Sequence, residues 1–178
     1  MDGGLPVNVR IGPQSLITGE AAFRRFMSLR DPALVIGHSS TLDGVQFAIG
    51  IDGMIEIGNC CYLSNAVLLA EIALKIGSYV MIGWNTTIAD TDFHPLDPRQ
   101  RLSDAIACSP LNPGTRRPSI PTAPVVIEDD VYIGPGVSIM KGVHIGKGAL
   151  IEPGSVVTRD VSPRARVLGN PARVIGEV

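Results

Sequence analysis

The chain has 178 residues, the length of one ordinary domain. Hydrophobic residues make up 45% and charged ones 18%, with a formal net charge of −2; this excludes a disordered chain and argues against a nucleic-acid partner held by phosphate neutralisation. The 20 glycines and 14 prolines are too many for long helices, and the most apolar stretches, 57–70 and 76–89, carry Gly and Asn and fall short of a membrane span of roughly 18 residues.

The amino terminus reads Met1-Asp2-Gly3-Gly4-Leu5-Pro6, with no basic segment before an apolar run, so no secretory signal is expected. In 14–30, Thr18 stands as an N-cap, followed by Glu20 and by Phe23, Phe26 and Met27 on one helical face. A short helix over 19–29 is predicted, ending before Asp31-Pro32 and plugging one end of the fold. Ile36 and Leu42 hint at a first irregular repeat. Ile57, Leu63 and Leu69 then pair with Cys61, Val67 and Ala73. After a one-residue slip, Ile76, Ile82 and Ile88 pair with Val80, Thr86 and Asp92. This phase places Cys61 inward and Cys60 outward, so the adjacent cysteines read as packing rather than a redox pair. Cys108 lies in a loop without an evident His partner. Three cysteines without CxxC spacing argue against a disulfide framework or a zinc site, and a reducing cytoplasm is the simplest setting.

Residues 95–124 break the repeat and hold seven of the 14 prolines, with Arg99, Arg101, Arg116 and Arg117 among them. So long an insertion in a compact repeat is usually functional or disordered. From Ile127 the period returns as Ile127, Ile133, Ile139, Ile145, Ile151 and Val157, each followed four residues later by a small or β-branched residue. A period of six fits neither a helix nor a hairpin sheet. It fits a three-sided solenoid in which each unit makes one strand and one corner, and nine of the 20 glycines directly follow an isoleucine, at the corners. The organisation expected is an N-terminal segment 1–34 and a solenoid 35–178 with the loop 95–124 inserted and a short carboxy-terminal tail.

The periodicity resembles the hexapeptide-repeat family, which implies an all-β, left-handed parallel β-helix. The left hand comes from that resemblance, because crossovers are normally right-handed.

His38, His94 and His144 are the three histidines, with no close pair, so a zinc site and the metal-dependent hydratase chemistry it would bring are not expected. His144 falls at an outward repeat position, and His38 in the irregular first coil. His94 lies where a regular coil gives way to the long loop. It reads equally as a general base held by a rigid strand end or as a residue capping that end.

The segment Asp90-Thr91-Asp92-Phe93-His94-Pro95-Leu96-Asp97-Pro98, the run Val131-Tyr132-Ile133-Gly134, and the ending Gly154 to Asp160 followed by Gly169-Asn170-Pro171-Ala172-Arg173-Val174-Ile175 resemble the maltose/galactoside O-acetyltransferase group, nearest its colanic-acid and polysaccharide O-acetyltransferases, over about 33–178. The resemblance implies acetyl-CoA as acyl donor, a sugar or glycan hydroxyl as acceptor, His94 as the base for direct attack, no metal, and a cytoplasmic homotrimer with no nucleic-acid or membrane partner. Asp92 and Asp90 are candidates to orient His94 or bind the acceptor, and Asn65, Glu71, Trp84 and Asn85 to touch it. For Asn85 a corner role is equally open. The matching donor positions are Tyr132, Gly134, Pro135, Gly136, Pro153, Ser155, Thr158 and Arg159, with Arg173 near the nucleotide phosphates. Arg159 and Arg173 read equally as solvated surface residues. Tyr132 replaces the family's tryptophan, and Pro135 lacks the N–H that helps the family's thioester site, so Gly136 or another amide must serve. An N-acetyltransferase and a non-catalytic scaffold stand as rival readings.

Overall fold

The computed structural model describes residues 5–19 and 22–178, so Met1–Gly4 and Glu20, named above, lie outside the described residues. Short strands stack into three parallel walls. The first wall runs Val9–Ile11, Leu34–Ile36, Met54–Ile57, Ala73–Ile76, Val125–Ile127 and His144–Ile145. The second runs Leu16–Thr18, Thr41–Asp43, Tyr62–Ser64, Met81–Ile82, Tyr132–Ile133, Leu150–Ile151 and Ala165–Gly169, closed by the antiparallel strand Ala172–Glu177. The third runs Arg25–Phe26, Gln46–Ile49, Val67–Ala70, Thr87–Ala89, Ser138–Ile139 and Val156–Val157. The result is a parallel β-solenoid of about seven turns, consistent with a left-handed β-helix.

Inward aliphatics form columns that run from coil to coil. Ile57, Ile76, Ile127 and Ile145 stack in the first wall, and Leu63, Ile82, Ile133 and Ile151 in the second. Leu68, Ile88, Ile139 and Val157 stack in the third. All are buried. At the corners the coils touch backbone to backbone. A Cβ added at Gly134 would meet the Pro153 nitrogen at 2.7 Å, which is why glycine follows isoleucine there. Corners between the second and third walls reverse in the left-handed region, at Asn65 (φ 45), Asn85 (φ 59) and Gly136 (φ 68).

Three expectations change. Residues 22–29 are not helical: a turn at 22–24 leads into the strand Arg25–Phe26. The Met27 and Leu29 amides donate to Ile49 and Ile51 carbonyls at 2.9 Å, ladder partners on the next coil that a helix would forgo. Phe23 and Phe26 still close the end of the prism, Phe23 stacking on Phe47 at 5.6 Å, but Met27 is exposed. Residues 9–26 thus supply the first strand of each wall, and the solenoid begins before residue 35. Next, the phase breaks twice between Leu63 and Ile76: the Asn65 corner is one residue short, and the turn between Leu68 and Ile76 is two residues long, which leaves the net slip of one expected before Ile76. Leu68 and Leu74 point inward, and Leu69 and Ala73 do not. Finally, the insertion contains a helix, Pro98–Ala107. Asp97 caps it, its Oδ1 accepting from the Arg99 and Gln100 amides, with Pro98 in the first turn. Cys61 is buried, which raises its thiol pKa, and Cys60 is exposed.

The corrected phase predicts that Leu68→Ala lowers stability by about 2–5 kcal/mol, whereas Leu69→Ala stays within about 1 kcal/mol. Urea unfolding of the two variants checks this; equal losses would refute the inward placement of Leu68.

Candidate active site

The chain leaves the solenoid after Ala89 and returns at Val125. Its two ends zip together: Thr91 bridges Thr122, and the Ala123 amide donates to the Asp90 carbonyl at 2.8 Å. Just inside this base Phe93 adopts φ 64, and the His94 amide donates to the Asp92 carbonyl at 2.7 Å. A left-handed phenylalanine is uncommon and strained. The tight reversal turns His94 out from the strand end, its side chain 61% exposed.

His94 Nδ1 lies 2.6 Å from Asp104 Oδ2. Asp104 comes from the inserted helix, is its one buried residue, and leaves only 1% of its side chain exposed. Arg117 grips the same carboxylate with a fork, Nε to Oδ1 at 2.6 Å and Nη2 to Oδ2 at 3.0 Å, and also donates to the Phe93 carbonyl at 3.0 Å. A forked, charge-assisted pair is the arrangement that makes a buried carboxylate tolerable. The Arg117 fork first, and the His94 hydrogen bond second, hold the Asp104 pKa down at about 2. The same bond raises the Arg117 pKa. An ionised carboxylate only accepts, so the 2.6 Å contact, shorter than the 3.3 Å from Arg117 Nη2 to the same nitrogen, assigns the proton to Nδ1 and leaves Nε2 as the basic nitrogen. No described residue hydrogen-bonds Nε2.

His94 lines a chamber of about 590 Å³ with Glu71, Arg25, Leu69, Phe93 and Arg117. Packing around the Glu71 carboxyl raises its pKa, the charge of Asp90 adds to this, and Arg117 opposes it. The carboxyl lies over Gly50, where an added Cβ would strike it. Asp90 is fully buried and accepts three backbone amides, from Glu71, Ile72 and Ala73, at 2.7–2.8 Å. It therefore nails down the corner that carries Glu71 rather than orienting His94. Asp92 pairs with Lys141 at 3.0 Å and does not reach the imidazole ring.

The other expected residues sit elsewhere on the prism. Asn65, Trp84 and Asn85 line an open groove of about 600 Å³ at the far edge of the third wall, so they do not join His94 in one copy. Gly134, Pro135, Gly136 and Pro153 continue that same edge upward, and Tyr132 lies exposed on the second wall beside it. The Gly136 amide already donates to the Trp84 carbonyl at 2.9 Å, so it does not stand in for the missing N–H of Pro135. Ser155 is fully buried, its Oγ accepting from the Gly169 amide. Thr158 and Arg159 are exposed on the edge of the third wall that carries His94, and Arg173 is exposed on the last hairpin. His144 is a surface residue bonded to Glu128 at 2.9 Å. No motif in the sequence marks Asp104, and Arg117 stands there only as one of the arginines of the 95–124 insertion. Among the described residues no three His, Cys, Asp or Glu side chains gather as metal ligands, and no helix is long and apolar enough to cross a membrane.

Residues 124–159 match the bacterial transferase hexapeptide (six repeats) family. A hexapeptide-repeat containing acetyltransferase of Vibrio cholerae O1 biovar eltor, solved in complex with acetyl coenzyme A, is 31% identical. The superposition covers 88% of this chain and 74% of that one, with a TM-score of 0.66. This chain belongs to the hexapeptide-repeat transferases. The galactoside O-acetyltransferase of Lactococcus lactis subsp. lactis is 34% identical over 121 residues, which is 67% of this chain and 51% of that protein. Nodulation protein L of Rhizobium meliloti is 42% identical over 123 residues, 68% of this chain and 59% of that protein. The chain spans about half the length of the curated relatives it matches. The family match covers the regular coils after the insertion, and the helix that brings Asp104 lies outside it.

In this hexapeptide-repeat transferase the Asp104 pKa of about 2 lies below the ordinary aspartate value of about 3.9. A depressed carboxylate contributes stability that is complete above the ordinary value and is lost as pH falls through the folded one. The gap in urea midpoint between wild type and Asp104→Asn should therefore hold steady down to about pH 4 and narrow towards pH 2. A gap independent of pH would refute the pairing.

Proposed function

We propose that this chain transfers the acetyl group of acetyl-CoA to a hydroxyl of a sugar or polysaccharide precursor, with His94 as general base. The observation that carries the reading is an imidazole that lines a chamber, with Nδ1 fixed by an ionised, enclosed carboxylate and Nε2 without a hydrogen-bond partner among the described residues. A hydroxyl is a weak nucleophile until a base takes its proton, and this pair supplies one. Acetyl-CoA brings the activated acyl carbon as a thioester. His94 Nε2 takes the hydroxyl proton as the acceptor oxygen bonds to the acetyl carbonyl carbon. Asp104 stabilises the imidazolium that results. The proton then passes to the sulfur as the carbon–sulfur bond breaks, which releases the ester and free CoA. No acyl-enzyme is needed. Glu71 and Asp92 sit on the acceptor side of this scheme, Glu71 accepting from the sugar and Asp92 fixing the corner through Lys141.

The donor would lie against Tyr132 and the flat Gly134, Pro135 and Pro153 corners, with Thr158, Arg159 and Arg173 exposed to receive its polar and phosphate groups. Gly136 and Ser155 serve by shaping the corner. The Gly134, Pro135 and Pro153 corners lie across the third wall from His94, separated by a strand of up to four residues, about 13 Å, while Thr158 and Arg159 share the His94 edge. We read the site as completed by a second copy, in a homotrimer packed wall to wall. The exposed Tyr62, Met81 and Tyr132 stand in one register column of the second wall, an apolar stripe suited to such packing. Three free cysteines fit a reducing, cytoplasmic setting.

His94→Ala should lower kcat at least about 100-fold while the affinity for acetyl-CoA stays nearly unchanged; survival of activity within tenfold removes the base assignment. A panel of hydroxyl and amine acceptors, read by release of free CoA, separates O-transfer from N-transfer, and turnover of neither favours a scaffold. Sedimentation should report three copies, and full turnover by a monomer would end the shared-site reading.

A further inference from the structure

Arg25 stands on the outermost rung of the third wall, at the end opposite Val156–Val157, and Arg24 in the turn before it. Phe26 turns inward against Phe23, ring centroids 5.6 Å apart, so alternation along the strand turns Arg25 outward. Arg25 is in register with Ala48, Ala48 with Leu69, and Leu69 with Ala89. These outward positions make a column of small and aliphatic side chains. At one rung per roughly 4.8 Å, Arg25 lies about 14 Å from Ala89, where the chain leaves for His94.

Arg25 lines the His94 chamber and also an adjoining cavity of about 390 Å³, which Arg24, Gln46, Ala48 and Leu69 line as well. One trough therefore runs along the wall from the imidazole to two guanidinium groups over an aliphatic floor. Arg10, Arg117 and Arg166 each hold a carboxylate, but neither Arg24 nor Arg25 does so among the described residues. Glu71, the acid that lines the trough, takes its charge environment from Asp90 and Arg117. The proposed donor contacts Thr158 and Arg159 lie past the other edge, five rungs or about 24 Å away.

We propose that the acceptor is a phosphorylated sugar. Its hydroxyl lies at His94 Nε2, its ring covers Ala48 and Leu69, and its phosphate lies between Arg24 and Arg25. Two guanidiniums on one cavity, with no carboxylate partner among the described residues, suit a divalent phosphoryl group better than a single carboxylate. This rests on the reading of the site as a hydroxyl acetyltransferase.

The test uses the full chain with acetyl-CoA and four matched acceptors: a neutral hexose glycoside, its glycosyl phosphate, its nucleoside diphosphate ester and its hexuronate. The phosphate-bearing pair should exceed the neutral sugar at least tenfold in kcat/KM, and the better of the two shows whether a mono- or diester is the natural form. Arg24→Ala/Arg25→Ala should raise KM for phosphorylated acceptors at least tenfold, abolish the preference, and leave KM for acetyl-CoA unchanged. Inorganic pyrophosphate should compete with the acceptor in wild type and not in the variant. Both side chains are exposed, so the thermal melt should not move, and Arg25→Lys should keep part of the preference. Equal use of neutral and phosphorylated sugars, or a preference for the hexuronate, overturns the phosphate site while hydroxyl transfer stands. A rise in KM for acetyl-CoA instead assigns the arginines to the donor. No turnover of any hydroxyl acceptor fells the parent reading, and this proposal with it.

Discussion

The closure of each coil against the next governs this structure. Ile127 sits directly across from Ile145, one full circuit later, and the amides at each corner donate to the neighbouring coil, as Gly134 does to Ile151 at 2.9 Å. That repeat leaves an interior just wide enough for columns of branched aliphatics. The few polar side chains inside are used up locally: Thr86 donates to the Gly134 carbonyl, Ser40 to that of Gly58, and Asp90 accepts three amides. Among the described residues no buried side-chain nitrogen or oxygen lacks a partner. A prism so filled has no room for chemistry within. Its walls are short flat strands, so reactive groups must stand at corners, where the chain is free to leave.

At one corner it does leave, and the electrostatics follow from that departure. The carboxylate of Asp104, buried alone, would cost more than the fold gains. The Arg117 fork offsets its charge and at the same time ties the far arm of the excursion to the Phe93 carbonyl. The imidazole is then held from two sides, by a strained turn in its own backbone and by an acid delivered from ten residues further on. Glu71 enters the same chamber from the coil below, on a corner held by Asp90. Four segments distant in sequence thus converge, two on stacked coils and two on the excursion that folds back over their corner.

The coils were legible because their inward columns repeat every six residues over long runs. The residue lost at Asn65 was hidden because Leu68 and Leu69 are both aliphatic, and only the left-handed corner decides which one turns in; the two gained before Ile76 mask it. The helix expected near residue 20 was a misreading of Phe23 and Phe26. A turn followed by a two-residue strand meets the same spacing when the next coil offers ladder partners. The helix Pro98–Ala107 escaped for the opposite reason. Its buried residue is an aspartate, so it has no apolar stripe, and only Asp97-Pro98 marked its start. His94 stood out by its place at the end of a regular strand. Asp104 and Arg117 did not, since the ion pair that selects them exists only once the excursion has folded back.

The antiparallel bridge between Thr91 and Thr122 has an evolutionary consequence. It clamps the neck of the excursion, so the span beyond can be lengthened, shortened or replaced with little effect on the coils, since loop closure grows only slowly with length. The imidazole of His94 sits at the rim of the permanent framework, whereas its acidic companion Asp104 belongs to the exchangeable span. Lineages that trade this span would inherit the same imidazole with a different electrostatic tutor.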